Sequence, residues 1–156
     1  MKISSPKFGD GEEVPIEYTC EGGNISPPLE FSDIPKESKS LSLIVTDPDA
    51  PANPWVHWVV FNIPADTKYS EEGELPKGGV EGIANGGTYG YEGPCPPEGS
   101  HRYVFKLYAL NKMLDIPKDS DRNKVLAAME GNIVGEAELI GFYRLKDPEK
   151  IYGRGK

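Results

Sequence analysis

Short runs of alternating apolar and polar residues, separated by turn-forming residues, dominate this chain. Such alternation places every second side chain on the same face of an extended strand. Four runs predict strands at residues 41–46, 56–63, 101–110 and 139–145. The second run is apolar on both faces, which is typical of a strand in the middle of a sheet. The pattern therefore predicts a protein built mainly of β-strands.

One segment has the pattern of a helix. Val125, Leu126 and Met129 form an apolar stripe at helical spacing. Asp119 or Ser120 can cap its N-terminus by accepting hydrogen bonds from the free N–H groups of the first turn. Many short strands and one helix favour an all-β sandwich with a small helical insertion.

The longest segment without a strand pattern is the Gly-rich stretch of residues 71–100. A loop of this length in a compact protein is usually functional. Residues 151–156 are expected to be a frayed tail in which Tyr152 could dock. Because no repeat or linker is visible, residues 1–156 are expected to form one domain.

Composition excludes several classes of function. The chain has 156 residues, of which 37% are hydrophobic, and a formal net charge of −8. A nucleic-acid-binding protein would show a basic face, so none is expected as a partner. No apolar run approaches the roughly 20 residues that span a bilayer. The N-terminus lacks an apolar signal region, so a cytoplasmic location without membrane insertion is expected.

Cys20 and Cys95 have a spacing that fits no zinc motif. They can be two reduced thiols or a disulfide, and the sequence leaves both open. Gln is absent while Glu and Lys are frequent, a composition typical of thermophilic organisms. Intracellular disulfides are an accepted exception in such organisms.

Side chains with acid–base or ligand chemistry concentrate in three patches at the ends of predicted strands. These patches are DPDAP at residues 47–51, WVHW at 55–58 and GPCPPEGSHRY at 93–103. The chain has two histidines, His57 and His101, and each opens a predicted strand. If the strand ends converge, one pocket holds two carboxylates, two imidazoles and a phenol.

Three interpretations of these residues are open from the chemistry alone. In an anion site, Asp47 and Asp49 lie behind the imidazoles and favour their protonated form. The ring N–H groups, the Tyr103 hydroxyl and backbone N–H groups near Gly93 and Cys95 then face the ligand. In a metal site, both histidines and both aspartates ligate directly. In a structural arrangement, these side chains only satisfy one another at a loop junction.

Catalytic patterns are weaker. Ser100, a histidine and Asp49 can be combined into a triad, but strand alternation points Ser100 away from His101. The sequence has no G-x-S-x-G elbow, and no cationic neighbour of Cys95 can be identified. A metal-dependent hydrolase is the enzymatic alternative that uses the two His and two Asp. We therefore predict a protein that is not an enzyme and has no cofactor.

Three aromatic residues lie among Gly and Pro, where burial is harder to achieve. Trp55, Tyr89 and Tyr91 can therefore line the rim of a pocket. A tryptophan face at that rim could hold an ammonium group through a cation–π contact.

The three patches together, in this order, resemble the phosphatidylethanolamine-binding (Raf-kinase-inhibitor-like) protein family. The motifs are DPDAP, W-x-H-W and G-P-C-P-P-x-G-x-H-R-Y-V-F, and ISPPL at residues 25–29 matches as well. The resemblance covers roughly residues 3–145 and is strongest to the bacterial and archaeal branch.

The resemblance implies an antiparallel Greek-key β-sandwich with a small pocket for phosphate-like anions, including the phosphoryl group of ethanolamine head groups. The residues carried over as ligand-binding are Asp47, Asp49, Trp55, His57, Gly93, Pro96, His101 and Tyr103. The implied function is non-catalytic binding of phosphate, phosphoethanolamine or a similar anion. Further implied partners are a kinase, a protease or a second copy of the chain. The alternative function is serine protease inhibition through the Gly/Pro-rich loop.

Three further expectations follow. The positive charge of the pocket depends on imidazole protonation, so affinity should rise as pH falls through about 6.5. Glu92 departs from the family pattern, and its carboxylate would oppose anion capture if it pointed inward. The chain stops soon after Tyr143, so the gating C-terminal helix of many eukaryotic members is not expected.

Overall fold

The structure is a computed structural model that describes residues 1–153. Residues 154–156, the end of the predicted tail, lie outside the described part. The elements within residues 1–153 are β1 Lys2–Ser4, β2 Glu12–Glu13, a 3₁₀ turn at Ile16–Tyr18, β3 Leu29–Ser32, β4 Ser40–Asp47, β5 Trp55–Pro64, β6 Tyr69–Ser70, β7 Val80–Glu81, β8 His101–Leu110, α1 Arg122–Met129, β9 Ile133–Tyr143 and α2 Pro148–Tyr152. Within residues 1–153, neither α-helix has the length and apolar character needed to cross a bilayer.

The strands of the described chain form two sheets. The smaller sheet has the order β1-β3-β6, and the larger has the order β2-β9-β8-β4-β5-β7. The pairs are antiparallel apart from β2 with β9, which is parallel. A mostly β protein with two sheets and few helices is therefore confirmed. The Greek-key connection and the single domain stay predictions.

The four predicted strands form the centre of the large sheet as β5, β4, β8 and β9. The last of them begins at Ile133 rather than Leu139. The sequence pattern does not predict the early half of β9. This half carries Glu136 and Glu138, which face solvent and form ion pairs with Lys106. This half lacks an apolar signal and depends on its pairing with β8.

Two hydrophobic clusters cover the two faces of the large sheet. On one face, Leu43 and Trp58 pack with Phe31 of the small sheet. On the other face, Val59 of β5 packs with Val125 of α1. Burying each large apolar side chain contributes about 1.5–3 kcal/mol. Because β5 is buried on both sides, it holds the residues at its N-terminal end firmly in place.

Helix α1 confirms the predicted helical insertion, with Val125 and Met129 buried. The predicted cap was wrong, because Asp121 accepts the hydrogen bond from the Lys124 N–H at 2.9 Å. Ser120 instead donates its hydroxyl to the carbonyl of Pro117. Its side chain is therefore used within the preceding turn.

The C-terminal segment is more ordered than the sequence predicts. Asp147 caps α2 by accepting from the Lys150 N–H, and Gly153 ends it in the left-handed conformation. The prediction of a frayed tail was therefore wrong for its described part. The docking of Tyr152 is confirmed, since its hydroxyl donates to the carbonyl oxygen of Cys95 at 2.6 Å.

Candidate ligand-binding site

Asp47 ends β4 and connects two parts of the site. Its Oδ1 accepts the backbone N–H of Asp49 at 2.8 Å, which closes a tight turn around Pro48. Its Oδ2 lies 2.7 Å from Nδ1 of His101, the first residue of β8. Asp47 is 4% exposed and His101 is 8% exposed. The carboxylate therefore orients the imidazole from behind, which both the anion-site and the structural interpretations predict.

Asp49 has a different role from the predicted one. Its carboxylate accepts hydrogen bonds from the backbone N–H, Nε and Nη2 of Arg102 at 2.8, 3.1 and 2.9 Å. Hydrogen bonding to the Arg102 guanidinium lowers the pKa of Asp49. Asp49 therefore braces the turn after β4 against β8, and it does not support an imidazole.

His57, near the start of β5, is held by the backbone of Glu92. Its Nδ1 lies 2.7 Å from the Glu92 carbonyl oxygen, and the Glu92 N–H donates to the His57 carbonyl at 3.0 Å. A carbonyl oxygen only accepts, so Nδ1 carries the proton and the neutral ring has its lone pair at Nε2. Burial lowers the pKa of His57, against the opposing effects of Glu92 and Asp47. The carboxylates thus favour the protonated form of this imidazole, as expected, but burial has the larger effect.

Tyr103 lies between these groups on β8. Its ring contacts His57 edge to face, with ring centroids 5.3 Å apart. Its buried hydroxyl makes no hydrogen bond to the described residues. The Asp47 carboxylate and the Cys95 backbone lie near it, but neither completes a hydrogen bond of normal geometry. Burial raises the pKa of Tyr103, so the hydroxyl keeps its proton and can donate it to a ligand.

These side chains enclose one cavity of about 290 Å³, which we call the histidine cavity. Its walls are formed by Asp47, Ala50, Pro51, Trp55, His57, Glu92, Gly93, Cys95, Pro97, His101, Tyr103 and Tyr152. The two imidazoles thus share one hollow, as the sequence predicts. Among the described residues, the two histidines and two aspartates do not form a group that could hold a metal ion.

Six of the eight predicted ligand-binding residues line the histidine cavity, and Asp49 and Pro96 do not. Pro97 takes the place in the wall that was predicted for Pro96. Gly93 is in the wall, but its N–H donates to Oδ1 of Asn24 at 2.9 Å. The N–H of Gly93 itself is therefore used within the fold, and ligand-facing N–H groups near Gly93 and Cys95 stay a prediction. A Cβ at Gly93 would collide with the backbone carbonyl oxygen of Tyr18 and would lie 2.5 Å from the same Asn24 oxygen, which explains the glycine.

The aromatic residues predicted at the rim have separate positions. Trp55 lines the cavity and is 45% exposed, so it lies at the mouth. Tyr91 packs edge to face on Trp58, away from the cavity wall. Tyr89 is exposed and also does not line the cavity. The sequence predicts only that Tyr152 docks. It gives Tyr152 no place in the cavity, because no pattern marks α2 as part of the site.

The sequence allows either two reduced thiols or a disulfide, and the structure contains the disulfide. Cys20 and Cys95 are bonded, with their Cα atoms 5.5 Å apart. The Cys20 N–H also donates to the carbonyl of Pro94 at 3.1 Å. The cavity wall around Cys95 is therefore tied to the segment that follows the 3₁₀ turn.

Comparisons with known proteins identify the family of this chain. A family model described as phosphatidylethanolamine-binding protein matches residues 4–144. A UPF0098 protein of Methanothermobacter thermautotrophicus is 52% identical over 149 residues, covering 92% of this chain and 99% of the relative. A solved structure described as a phosphatidylethanolamine-binding protein homologue from Chlamydia trachomatis has a TM-score of 0.89 at 41% identity, covering 92% of this chain and 97% of that one. E. coli YbcL, described as a member of the mammalian family, has a TM-score of 0.86 at 34% identity, covering 93% and 98%. The chain therefore belongs to the phosphatidylethanolamine-binding protein family.

Proposed function

We propose that this protein is a non-catalytic binding protein that holds a small ligand by a phosphoryl or carboxyl group in the histidine cavity. The observation that carries the proposal is the meeting of His57, His101 and the unpartnered hydroxyl of Tyr103 in one hollow. A buried hydroxyl without a partner costs about 1–3 kcal/mol. Buried polar groups normally have partners, so a ligand oxygen is the expected partner here.

The state of the nucleophilic side chains supports binding rather than catalysis. Cys95 lines the cavity, but it is in a disulfide and has no thiolate to offer. Ser100 is exposed and is not part of the cavity wall. The family description adds support, because phosphatidylethanolamine contains a phosphoryl group.

Calorimetric titration with phosphate and with phosphoethanolamine tests the proposal. The wild-type protein is expected to bind at least one of them with one site per chain. The double variant His57→Ala, His101→Ala is expected to lose this binding while still unfolding cooperatively on heating. Equal affinity in the folded double variant would place the binding site elsewhere and reject the proposal.

The alternative function is inhibition of a serine protease through the loop of residues 71–100. One observation favours it: Tyr89 is 54% exposed beside a turn closed by the hydrogen bond from the Ala84 N–H to the Thr88 carbonyl. Such a side chain could enter the hydrophobic specificity pocket of a chymotrypsin-like protease. Inhibition at micromolar concentration that is lost in Tyr89→Ala would support this function. Absence of inhibition across a protease panel would reject it.

A further inference from the structure

The histidine cavity has no fixed positive charge. Its wall within the described residues contains the acidic residues Asp47 and Glu92 and no Lys or Arg. The Glu92 carboxylate lies beside Gly86, where a Cβ would be 2.5 Å from Oε1, and this oxygen is buried without a partner. A fully ionised dianion would therefore be close to acidic residues and would meet no permanent cation.

The His57 imidazole presents a lone pair to the cavity when it is neutral. His57 uses its Nδ1 proton on the Glu92 carbonyl, and His101 uses its Nδ1 proton on the Asp47 carboxylate. The neutral His57 ring is then an acceptor at Nε2. The Tyr103 hydroxyl is the unpartnered donor. A ligand that satisfies this set must bring a proton of its own as well as an oxygen that accepts.

We propose that the histidine cavity selects the monoanion of a phosphomonoester, whose phosphoryl group carries both an acidic proton and anionic oxygens. This inference rests on the proposed function and specifies its ligand. The ligand O–H donates to Nε2 of His57, and a ligand oxygen accepts from Tyr103. A phosphodiester and sulfate have no proton to donate at neutral pH, so each would leave Nε2 of His57 unpaired.

The surroundings of His57 favour its neutral form, which accepts a hydrogen bond at Nε2. The titratable residues that share the cavity with it are Asp47, Glu92, Tyr103, His101 and Tyr152. Its ring is 6% exposed, and burial lowers its pKa although the two carboxylates oppose this effect. The ring therefore stays neutral at pH 7, where phosphomonoesters, with a second pKa of about 6, still have a monoanionic fraction.

The test is a calorimetric comparison at pH 7 of three probes: methyl phosphate, dimethyl phosphate and sulfate. Methyl phosphate is expected to bind at least about tenfold more tightly than the other two, because a buried acceptor left unpaired is costly. Equal affinities, within threefold, would overturn this inference and leave the proposed function standing. Binding of none of the probes would instead count against the proposed function.

The pH dependence separates this mechanism from one based on a protonated imidazole. Affinity for methyl phosphate is expected to fall as pH rises through the second pKa of the ligand, about 6. Dimethyl phosphate does not titrate in this range and is expected to bind weakly at every pH. If its affinity instead rose at least tenfold between pH 7.5 and pH 5.5, a protonated imidazole would be the binding group and the inference would fail.

Two variants provide matched controls. In His57→Asn, the side-chain amide can still donate to the Glu92 carbonyl, but the Nε2 acceptor is lost. The preference for methyl phosphate over dimethyl phosphate is expected to shrink to less than threefold. In Glu92→Gln, one carboxylate is removed, and sulfate is expected to bind more tightly than in the wild type. If His57→Asn does not fold, the three wild-type titrations decide alone.

Discussion

Tyr91 and Tyr103 are two phenols with contrasting hydroxyl groups. The Tyr91 hydroxyl donates to the carbonyl of Tyr18 at 2.8 Å, whereas the hydroxyl of Tyr103 has no hydrogen bond among the described residues. Tyr103 lines the histidine cavity and Tyr91 does not. We therefore assign a structural role to the first hydroxyl and a ligand-binding role to the second.

Substituting each tyrosine by phenylalanine separates these roles. Tyr91→Phe is expected to lower the free energy of unfolding by about 1 kcal/mol, because the Tyr18 carbonyl loses its partner. Tyr103→Phe is expected to leave stability unchanged or raise it, and to weaken binding of methyl phosphate about tenfold or more. Urea unfolding and calorimetry measure the two quantities. A Tyr103→Phe variant that is destabilised yet binds normally would show that its hydroxyl is structural.

His57 also makes stability depend on pH. Its pKa in the folded protein lies below the ordinary value of 6.5, so the unfolded chain binds the proton more readily. The corresponding stability is present above about pH 6.5 and is lost as pH falls towards the lower folded pKa. The melting temperature is expected to decrease from pH 7.5 to pH 5.5 more in the wild type than in His57→Asn. Equal decreases would show that His57 does not titrate in this way.

At the scale of elements, the site is assembled where β4, β5 and β8 end and α2 covers them. Helix α2 has no buried residue, and Tyr152 connects it to the cavity wall at Cys95. This short helix can therefore contribute to ligand binding while contributing little to the stability of the fold.

The contribution of α2 can be tested with a pair of equally exposed tyrosines. Tyr152 and Tyr69 are both 42% exposed, but Tyr152 lines the histidine cavity and Tyr69 lies on β6. Tyr152→Ala is expected to weaken methyl phosphate binding several-fold, because the ligand becomes more exposed to water. Tyr69→Ala is expected to leave affinity unchanged, and equal effects of the two variants on affinity would contradict this role of α2.

The elements that the sequence predicts are those with an apolar signal of their own. Strands β4, β5 and β8 and the stripe of α1 could be predicted in this way. Helix α2 could not, because it has only one partly buried apolar side chain against the core, Ile151, and depends on a cap, a proline and a left-handed glycine. The convergence of His57 and His101 followed from their places at strand starts.

The partners within the site were harder to predict than the residues themselves. The partner of His57 is the backbone carbonyl of Glu92, which no side-chain pattern indicates. The N–H of Gly93 is occupied by Asn24, which is 69 residues away in the chain. Such long-range contacts between a backbone group and a polar atom depend on the complete fold, so the local pattern does not contain them.

At the scale of the whole molecule, two features act on the histidine cavity. The net charge of −8 opposes the approach of anions, which is consistent with a ligand of low charge. The disulfide joins Cys20 to Cys95 across a separation of 75 residues and holds one wall of the cavity.

Reduction of the disulfide is expected to destabilise the protein. Closing a loop of this length restricts the unfolded chain by about 4 kcal/mol in the chain-entropy model, and measured losses are typically about 2–4 kcal/mol. Urea unfolding with and without reductant measures the loss, and a Cys20→Ser, Cys95→Ser variant should not respond to reductant. Two titratable thiols in the denatured, unreduced protein would contradict the disulfide.

The most direct test of the account is NMR of the imidazole nitrogens during titration with methyl phosphate. The chain has two histidines, so both rings can be assigned from single variants. We expect both Nδ1 atoms to stay protonated and both Nε2 resonances to shift together until one ligand is bound per chain. Nε2 resonances that stay unchanged while methyl phosphate saturates the protein would contradict binding between the two rings.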